Sequence, residues 1–374
     1  MERLGWMLVL ALLLAHGGLK AQGFTEREVV LPIVQEGGRD TMVLAGTLTM
    51  PTGVEGALPA VILITGSGAQ NRDEELMGHK PFKVMAEYLS QRGFAVLRCD
   101  DRGVGGSTGD MAHATAHDFA SDVEHQLVYL QSQASGLGID PKRVFLFGHS
   151  EGATVAAMVA ARRRQSPNPV AGVAMLGGAG VDGRSVLLQQ NGVIFALRGA
   201  ADSLVARRLA CMSDLFAVCD TIGLAAGADT VKTLNLAFRP LFKKHSEGLT
   251  KEQKRVVGLT TPECYGWALS MATPWMQTFL RLDPAGYIAK MGCPLLAIGG
   301  EKDCQVLPGV NLPAIAQVCK ENGVPCQTML MKGLNHLGQQ CETGAVEEYS
   351  SPEQAPDDRV LDALVQWLGT IVGK

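Results

Sequence analysis

The sequence lacks the features that would tie it to a nucleic acid. Aromatic residues make up only 5% of its 374 residues, charged residues make up 19%, and the formal net charge is −4. No basic run is longer than Arg162-Arg163-Arg164, a pattern typical of the last turn of a helix. We therefore expect no nucleic-acid partner.

A metal-binding pattern is also missing. None of the nine cysteines forms a C-x-x-C pair, and no cluster of cysteine and histidine has the spacing of zinc ligands. We therefore predict no metal site. Because the number of cysteines is odd, at least one of them stays unpaired within a monomer.

Beyond the first residues, no apolar run is long enough to span a bilayer. Residues 4–15 are an apolar run of 12 residues that follows the charged Met1-Glu2-Arg3 and precedes a small residue, Ala21. This pattern predicts an export signal over residues 1–21. The mature chain, residues 22–374, is then expected in the periplasm or outside the cell, without membrane attachment. A short membrane anchor is the alternative.

Internal repeats and low-complexity linkers are absent, and short apolar runs alternate with helical patterns instead. The runs are mostly apolar and do not alternate strictly, as in strands that are buried on both faces of a parallel sheet. They lie at residues 60–65, 94–99, 143–147, 170–176, 294–298 and 326–331. Helical periodicity occurs at residues 81–91, at 118–132 and near the C-terminus. We predict an α/β fold, a mostly parallel sheet with helices on both faces.

Two further segments depart from this alternation. Residues 26–31 and 42–50 predict an antiparallel edge whose strands are joined across Gly37-Gly38. Residues 181–283 have no strand pattern and are largely helical. We predict that this second segment is an insertion that caps the sheet rather than a separate domain.

The stretch Gly148-His149-Ser150-Glu151-Gly152 has the G-x-S-x-G pattern of a nucleophilic serine on a sharp strand-to-helix turn. The glycines are needed because a β-carbon there would clash as the helix folds against the strand. The apolar run at 143–147 precedes the motif and a helix-forming run follows it. We predict that Ser150 is a nucleophile, with an ordinary helix N-cap as the alternative.

A nucleophilic serine needs a base and an acid that orients the base. In this architecture both follow the serine, in the order acid then histidine, on loops after later strands. Asp303 follows the run at 294–298, and His336 follows the run at 326–331. We predict Asp303 as the acid and His336 as the base, with Glu301 as an alternative acid. His149 is interpreted as structural.

The anion that forms when serine attacks a carbonyl needs two N–H donors. We predict that the backbone N–H groups of Glu151 and Ser67 supply them, because Ser67 lies in a Gly-rich loop after the run at 60–65. The Glu151 side chain would oppose such an anion. We therefore expect its carboxylate to turn away and to be neutralised by Arg102 or Arg72. Otherwise these arginines are expected to form ion pairs that hold loops beside the serine.

With these motifs the sequence resembles the α/β-hydrolase superfamily and, more narrowly, the exported bacterial esterases of the EstD type. The matching stretches are ITGSGAQNRDEE (64–75), HKPF (79–82), CDDRGVGGSTG (99–109), FGHSEG (147–152), TPWMQTFLRLDP (273–284), IGGEKDCQV (298–306) and GLNH (333–336). The resemblance implies an α/β-hydrolase fold, hydrolysis of carboxylic esters by Ser150, Asp303 and His336, and no cofactor. Related proteins include serine aminopeptidases.

Three functions therefore remain open. The first is a serine esterase acting on small-molecule esters with small or medium acyl groups. The second is a serine aminopeptidase with the same triad, in which Glu151 would suit a substrate amine. The third is a hydrolase-like binding protein without chemistry. The oligomeric state and the natural substrate stay open.

Two smaller hypotheses concern side chains near the site. Cys304 follows the proposed acid and Cys341 follows the proposed base, so a Cys304–Cys341 disulfide could join the two loops, with two free thiols as the alternative. Trp267 and Trp275 lie in the capping segment at helical spacing. They are expected to pack one helix face onto the core, and the alternative is that they line the acyl pocket and contact the substrate.

Overall fold

The protein is described by a computed structural model that covers residues 23–34, 41–222 and 228–373. The predicted signal at residues 1–21 and the Gly37-Gly38 connection lie outside these described residues. No helix in this part of the chain is long and apolar enough to cross a bilayer.

One mixed sheet organises the described chain. Its strands are β1 (Gly23–Val34), β2 (Thr41–Thr52), β3 (Leu58–Ile64), β4 (Ala95–Cys99), β5 (Ile139–His149), β6 (Val173–Leu176), β7 (Leu295–Gly300) and β8 (Cys326–Met331). They are ordered β1-β2-β4-β3-β5-β6-β7-β8. The β1–β2 and β2–β4 pairs are antiparallel and the others are parallel. The predicted parallel sheet and its antiparallel edge are confirmed.

Helices cover both faces of this sheet because successive strand residues point to opposite sides. The helices that pack on the sheet are α1 (Pro81–Ser90), α2 (Ala116–Ser132), α3 (Ala134–Leu137), α4 (Glu151–Arg163), α12 (Pro308–Asn322) and α13 (Asp358–Val372). In β3, Ile62 belongs to the apolar cluster under α2, α4 and α12, whereas Val61 and Leu63 belong to the cluster under α1 and α13. The predicted α/β class is confirmed.

The strand β8 differs from its prediction. Its sequence was expected to form a strand buried on both faces, yet most of its residues are exposed, and Leu330 has 54% of its surface exposed. The reason is its position at the edge of the sheet, where it pairs only with β7. Apolar character alone does not distinguish an edge strand from a central one.

Between β6 and β7 the residues that the structure describes, 177–222 and 228–294, form helices and no strand. They are α5 (Gly183–Leu197), α6 (Asp202–Thr221), α7 (Ala228–Ser246), α8 (Lys251–Val256), α9 (Thr261–Met271), α10 (Pro274–Phe279) and α11 (Pro284–Ile288). We call α5 to α10 the cap helices. They have an apolar cluster of their own, which includes Leu215, Phe238 and Met271. The last helix, α11, instead contributes Ile288 to the cluster under the sheet.

Candidate active site

Ser150 lies at the turn between β5 and α4 with a backbone φ of 54°. A residue with a side chain rarely adopts this left-handed conformation, and it is kept only where the surroundings enforce it. A β-carbon at Gly148 would come within 2.2 Å of the Gly152 carbonyl oxygen, and one at Gly152 would come within 2.3 Å of the Ile64 carbonyl oxygen. The close packing of α4 against β3 and β5 thus requires both glycines. Ser150 makes no side-chain cap bond to α4.

Asp303 and His336 form a buried hydrogen-bonded pair. His336 Nδ1 lies 2.7 Å from Asp303 Oδ2, and the two residues are only 3% and 4% exposed. The other carboxylate oxygen, Oδ1, accepts hydrogen bonds from the backbone N–H groups of Gln305 and Val306, each at 2.8 Å. These bonds fix the carboxylate so that it orients the imidazole.

Glu301, the alternative acid, is directed elsewhere. Its Oε2 accepts a hydrogen bond from the backbone N–H of Gly333 at 3.0 Å, so it joins the loops after β7 and β8 on their outer side.

The Asp303–His336 pair packs directly against a glycine, Gly177, that was not predicted to belong to the site. A β-carbon at Gly177 would lie 2.9 Å from His336 Nδ1 and 3.3 Å from Asp303 Oδ2.

Ser150 and His336 line one cavity of about 220 Å³ between the sheet and the cap helices. The apolar wall comes from both parts of the molecule and consists of Leu76, Ala179, Val186, Leu187, Trp275, Phe279, Val306 and Leu337. Glutamines add polar groups, and no lysine or arginine in the described chain lines this cavity. Such a cavity favours an uncharged, partly apolar ligand.

Ser67 and Glu151, the residues expected to supply N–H donors, line the same cavity as Ser150. Glu151 is the first residue of α4, where backbone N–H groups have no partner within the helix. The neighbouring Gly66 N–H donates instead to Glu74 Oε1 at 2.7 Å. A β-carbon on Gly66 would lie 3.2 Å from Ser150 Cβ, so this loop passes directly beside the serine.

The Glu151 carboxylate does not have the partner that the sequence predicted. It is buried and accepts hydrogen bonds from Trp275 Nε1, at 3.0 Å and 2.9 Å to its two oxygens. Burial raises the pKa of this carboxyl, and the nearby Ser67 hydroxyl and Trp275 N–H offset the rise only in part. The expected neutralisation by Arg102 or Arg72 is wrong, because a helix of the cap supplies the donor.

Both arginines instead form ion pairs that hold loops around the sheet, as the alternative expectation had it. Arg72 binds Asp100 at 2.8 Å, and Arg102 binds Asp122 at 2.7 Å. Because each guanidinium group is paired with an aspartate, neither arginine neutralises Glu151.

The two tryptophans occupy different places. Trp275, on α10, lines the cavity and stacks on Phe279 with ring centroids 5.3 Å apart. Trp267, on α9, packs in the apolar cluster of the cap helices under the Arg208 guanidinium, 5.2 Å from the ring. Only Trp275 therefore has a position from which it can contact a ligand beside Ser150.

The proposed disulfide is not formed, and all nine cysteines are free. Cys304 is buried behind Asp303, and burial raises the pKa of its thiol to about 11. The Cys341 thiol donates to the Gly333 carbonyl oxygen at 3.4 Å. The two loops are joined by Lys302, which donates to the carbonyl oxygens of Cys341 and Glu342.

Comparisons with known proteins agree with this fold. Residues 80–209 match the family of serine aminopeptidases, S33. The chain is 23% identical over 325 residues to esterase EstD of Thermotoga maritima, covering 87% of this chain and 65% of that protein's length.

Two solved structures have a similar fold. A lipase in its open form matches with a TM-score of 0.51 and 19% identity over 93% of this chain and 100% of that one. Est1E of Butyrivibrio proteoclasticus with bound ferulic acid matches with a TM-score of 0.50 and 15% identity over 91% and 99% of the two chains. The chain has the α/β-hydrolase fold.

Proposed function

We propose that the protein is a serine esterase that hydrolyses small-molecule carboxylic esters of small or medium acyl groups. The observation that carries the proposal is the buried Asp303–His336 pair, in which His336 lines the same largely apolar cavity as a serine held in a strained conformation. This arrangement provides a base and a nucleophile at one site. No cofactor is needed for this reaction.

In the proposed reaction, Ser150 Oγ attacks the ester carbonyl while His336 Nε2 takes the hydroxyl proton. Asp303 holds Nδ1–H of the imidazole and stabilises the imidazolium that forms. The backbone N–H groups of Ser67 and Glu151 bind the developing oxyanion. His336 then gives its proton to the leaving alcohol, and water, activated by His336, releases the acyl group from Ser150.

The cavity supports an uncharged acyl group. Its carboxyl groups, Glu74 and Glu151, are already bound by donors of the protein, and its walls are largely apolar. A volume of about 220 Å³ suits a small or medium ester group rather than a long acyl chain. The relative that is named an esterase, EstD of Thermotoga maritima, supports the same reaction class.

The aminopeptidase alternative receives support from the match of residues 80–209 to that family. It would require a carboxylate that can bind a substrate ammonium group. Glu151 is the candidate, but Trp275 already donates to both of its oxygens and burial disfavours its charge. The esterase is therefore the better supported function.

A panel of nitrophenyl esters of rising chain length, tested beside aminoacyl nitroanilides, separates the two reactions. We expect turnover of the short and medium esters, and a fall of at least about 10⁴-fold in kcat in Ser150→Ala because the nucleophile is lost. Ser107→Ala is a matched control, since this buried serine binds the Asp100 carbonyl oxygen. Anilide cleavage with negligible ester cleavage would instead establish the peptidase.

A fluorophosphonate probe gives a second measurement on Ser150. Labelling that disappears in Ser150→Ala reports an activated serine even where the chosen esters are poor substrates. The absence of labelling and of turnover would favour a binding protein without chemistry.

We also propose export of the protein, on the basis of residues 1–21. Sequencing the N-terminus of protein recovered from the periplasm or the medium tests whether these residues have been removed.

A further inference from the structure

A second acid–histidine pair lies beside the first. Glu74, in the loop after β3, is only 4% exposed, and its Oε1 lies 2.8 Å from His149 Nδ1. The backbone φ of Glu74 is 50°, a left-handed conformation that a residue with a side chain rarely adopts. Such strain is retained only where other contacts hold the residue in place.

The same Glu74 oxygen also accepts the backbone N–H of Gly66 at 2.7 Å. Gly66 directly precedes Ser67, whose N–H is one of the two proposed oxyanion donors. The contact therefore fixes the orientation of the peptide chain at the point where it enters the oxyanion loop.

On its other side, His149 contacts the residue that acts as the base. His149 Nε2 lies 3.0 Å from the His336 carbonyl oxygen, and the two rings are 4.8 Å apart. His149 Nδ1 faces a carboxylate oxygen and Nε2 faces a carbonyl oxygen, so with Glu74 ionised the ring has to carry two protons to satisfy both acceptors. Burial lowers the pKa of His149, but the adjacent Glu74 carboxylate outweighs it and the pKa is raised.

We propose that Glu74 and His149 are a positioning pair, an ion pair that holds the oxyanion loop and the His336 loop in register with Ser150. The proposal rests on the proposed esterase function. The pair touches no reacting atom, and it acts through the Gly66 N–H and the His336 carbonyl. Its effect is therefore expected on the chemical step rather than on substrate binding.

Glu74→Gln is the sharpest variant because the side chain keeps its size. In the protein one oxygen accepts from both Gly66 N–H and His149 Nδ1–H. Without the carboxylate, His149 becomes neutral and keeps its proton on Nε2, so Nδ1 needs a donor. The amide group cannot present an oxygen to Gly66 and an N–H to His149 at the same position. One of the two contacts is lost.

The matched control is Asp122→Asn, which removes the charge of another buried ion pair, that with Arg102 at 2.7 Å. We expect Glu74→Gln to lower kcat for a nitrophenyl ester about 10- to 100-fold, with KM changed less than about twofold, because small misplacements of reacting groups act on the rate. Asp122→Asn should lower the melting temperature and leave kcat unchanged. An unchanged kcat in Glu74→Gln, or an equal loss in both variants, would overturn the proposal.

Nitrogen-15 NMR of histidine-labelled protein provides a measurement that needs no turnover. At pH 7 we expect both ring nitrogens of His149 to show the shifts of protonated nitrogen, and one of them to lose its proton in Glu74→Gln. A neutral His149 ring in the unmodified protein contradicts the pair. A failure of ester turnover would reject the proposed function alone, since this signal would still decide the state of His149.

Discussion

The sheet with its loops and the cap helices contribute to the candidate site in different ways. The sheet side supplies Ser150, Asp303 and His336, whose positions follow from turns at the carboxyl ends of β5, β7 and β8. The cap side supplies apolar walls and two polar contacts, from Trp275 Nε1 to Glu151 and from Gln190 Nε2 to Gln305. The difference teaches that the candidate catalytic residues all lie at the ends of strands, whereas the cap helices form part of the wall of the cavity beside them.

If this division is right, the largest effects come from the strand ends. We expect Asp303→Asn to lower kcat about 10⁴-fold, because an amide holds the His336 imidazole in the wrong tautomer. Glu301→Gln is the matched control on the same loop and should stay close to the unmodified protein, since Glu301 contacts only Gly333 N–H. Steady-state kinetics on one ester checks both. A large loss of kcat in Glu301→Gln, with activity retained in Asp303→Asn, would show that Glu301 rather than Asp303 is the acid that orients His336.

A second effect on the sheet side concerns stability and its dependence on pH. Asp101 accepts hydrogen bonds from Thr65 Oγ1 and Gln70 N–H, and burial raises the pKa of its carboxyl to about 7. The pKa in the folded protein thus lies above the unfolded value of about 3.9. The Asp101 carboxyl therefore makes its full contribution to the free energy of unfolding below about pH 4. This contribution is lost as the pH rises to about 7.

Asp101→Asn tests this because it removes the titration while keeping the size of the side chain. Relative to the unmodified protein, the variant should gain free energy of unfolding between pH 4 and pH 7, by up to about 4 kcal/mol, and the difference should be constant above pH 7. Urea unfolding at a series of pH values measures it. A difference that is the same at pH 4 and pH 8 would contradict the shifted pKa.

The smallest effects are expected from the cap. Trp275→Phe removes the N–H that both Glu151 oxygens accept, and a buried acceptor without its donor costs about 1–3 kcal/mol. We expect reduced stability and a change of less than about tenfold in the preference between short and medium acyl groups. The esters of the nitrophenyl panel measure that preference.

Trp267→Phe is the control within the same region. Its ring packs in the cluster of the cap helices and does not contribute to the lining of the cavity. It should lower stability without changing acyl preference. Equal changes of preference in both variants would show that the cap acts as a whole and that Trp275 has no separate contact with the acyl group.

Much of the fold could be predicted because its signals are local. The run at 60–65 predicts β3 (Leu58–Ile64), and the periodicity at 118–132 predicts α2 (Ala116–Ser132). The exposure of β8 could not be predicted, since its place at the edge depends on which strand has no further neighbour. The acid and the base could be placed on loops after the last two strands because the order of elements in this architecture constrains them.

The sequence alone determined three features: the G-x-S-x-G motif, the order of strands along the chain, and the two loops that follow β7 and β8. It did so because glycine and chain order restrict the backbone locally. The tertiary structure alone decided the partners of the buried charged groups. Glu151 is 124 residues from Trp275, and His149 is 75 residues from Glu74 and 187 from the His336 carbonyl. Such contacts depend on how distant elements pack, and a buried carboxyl is satisfied by whichever donor that packing brings within reach.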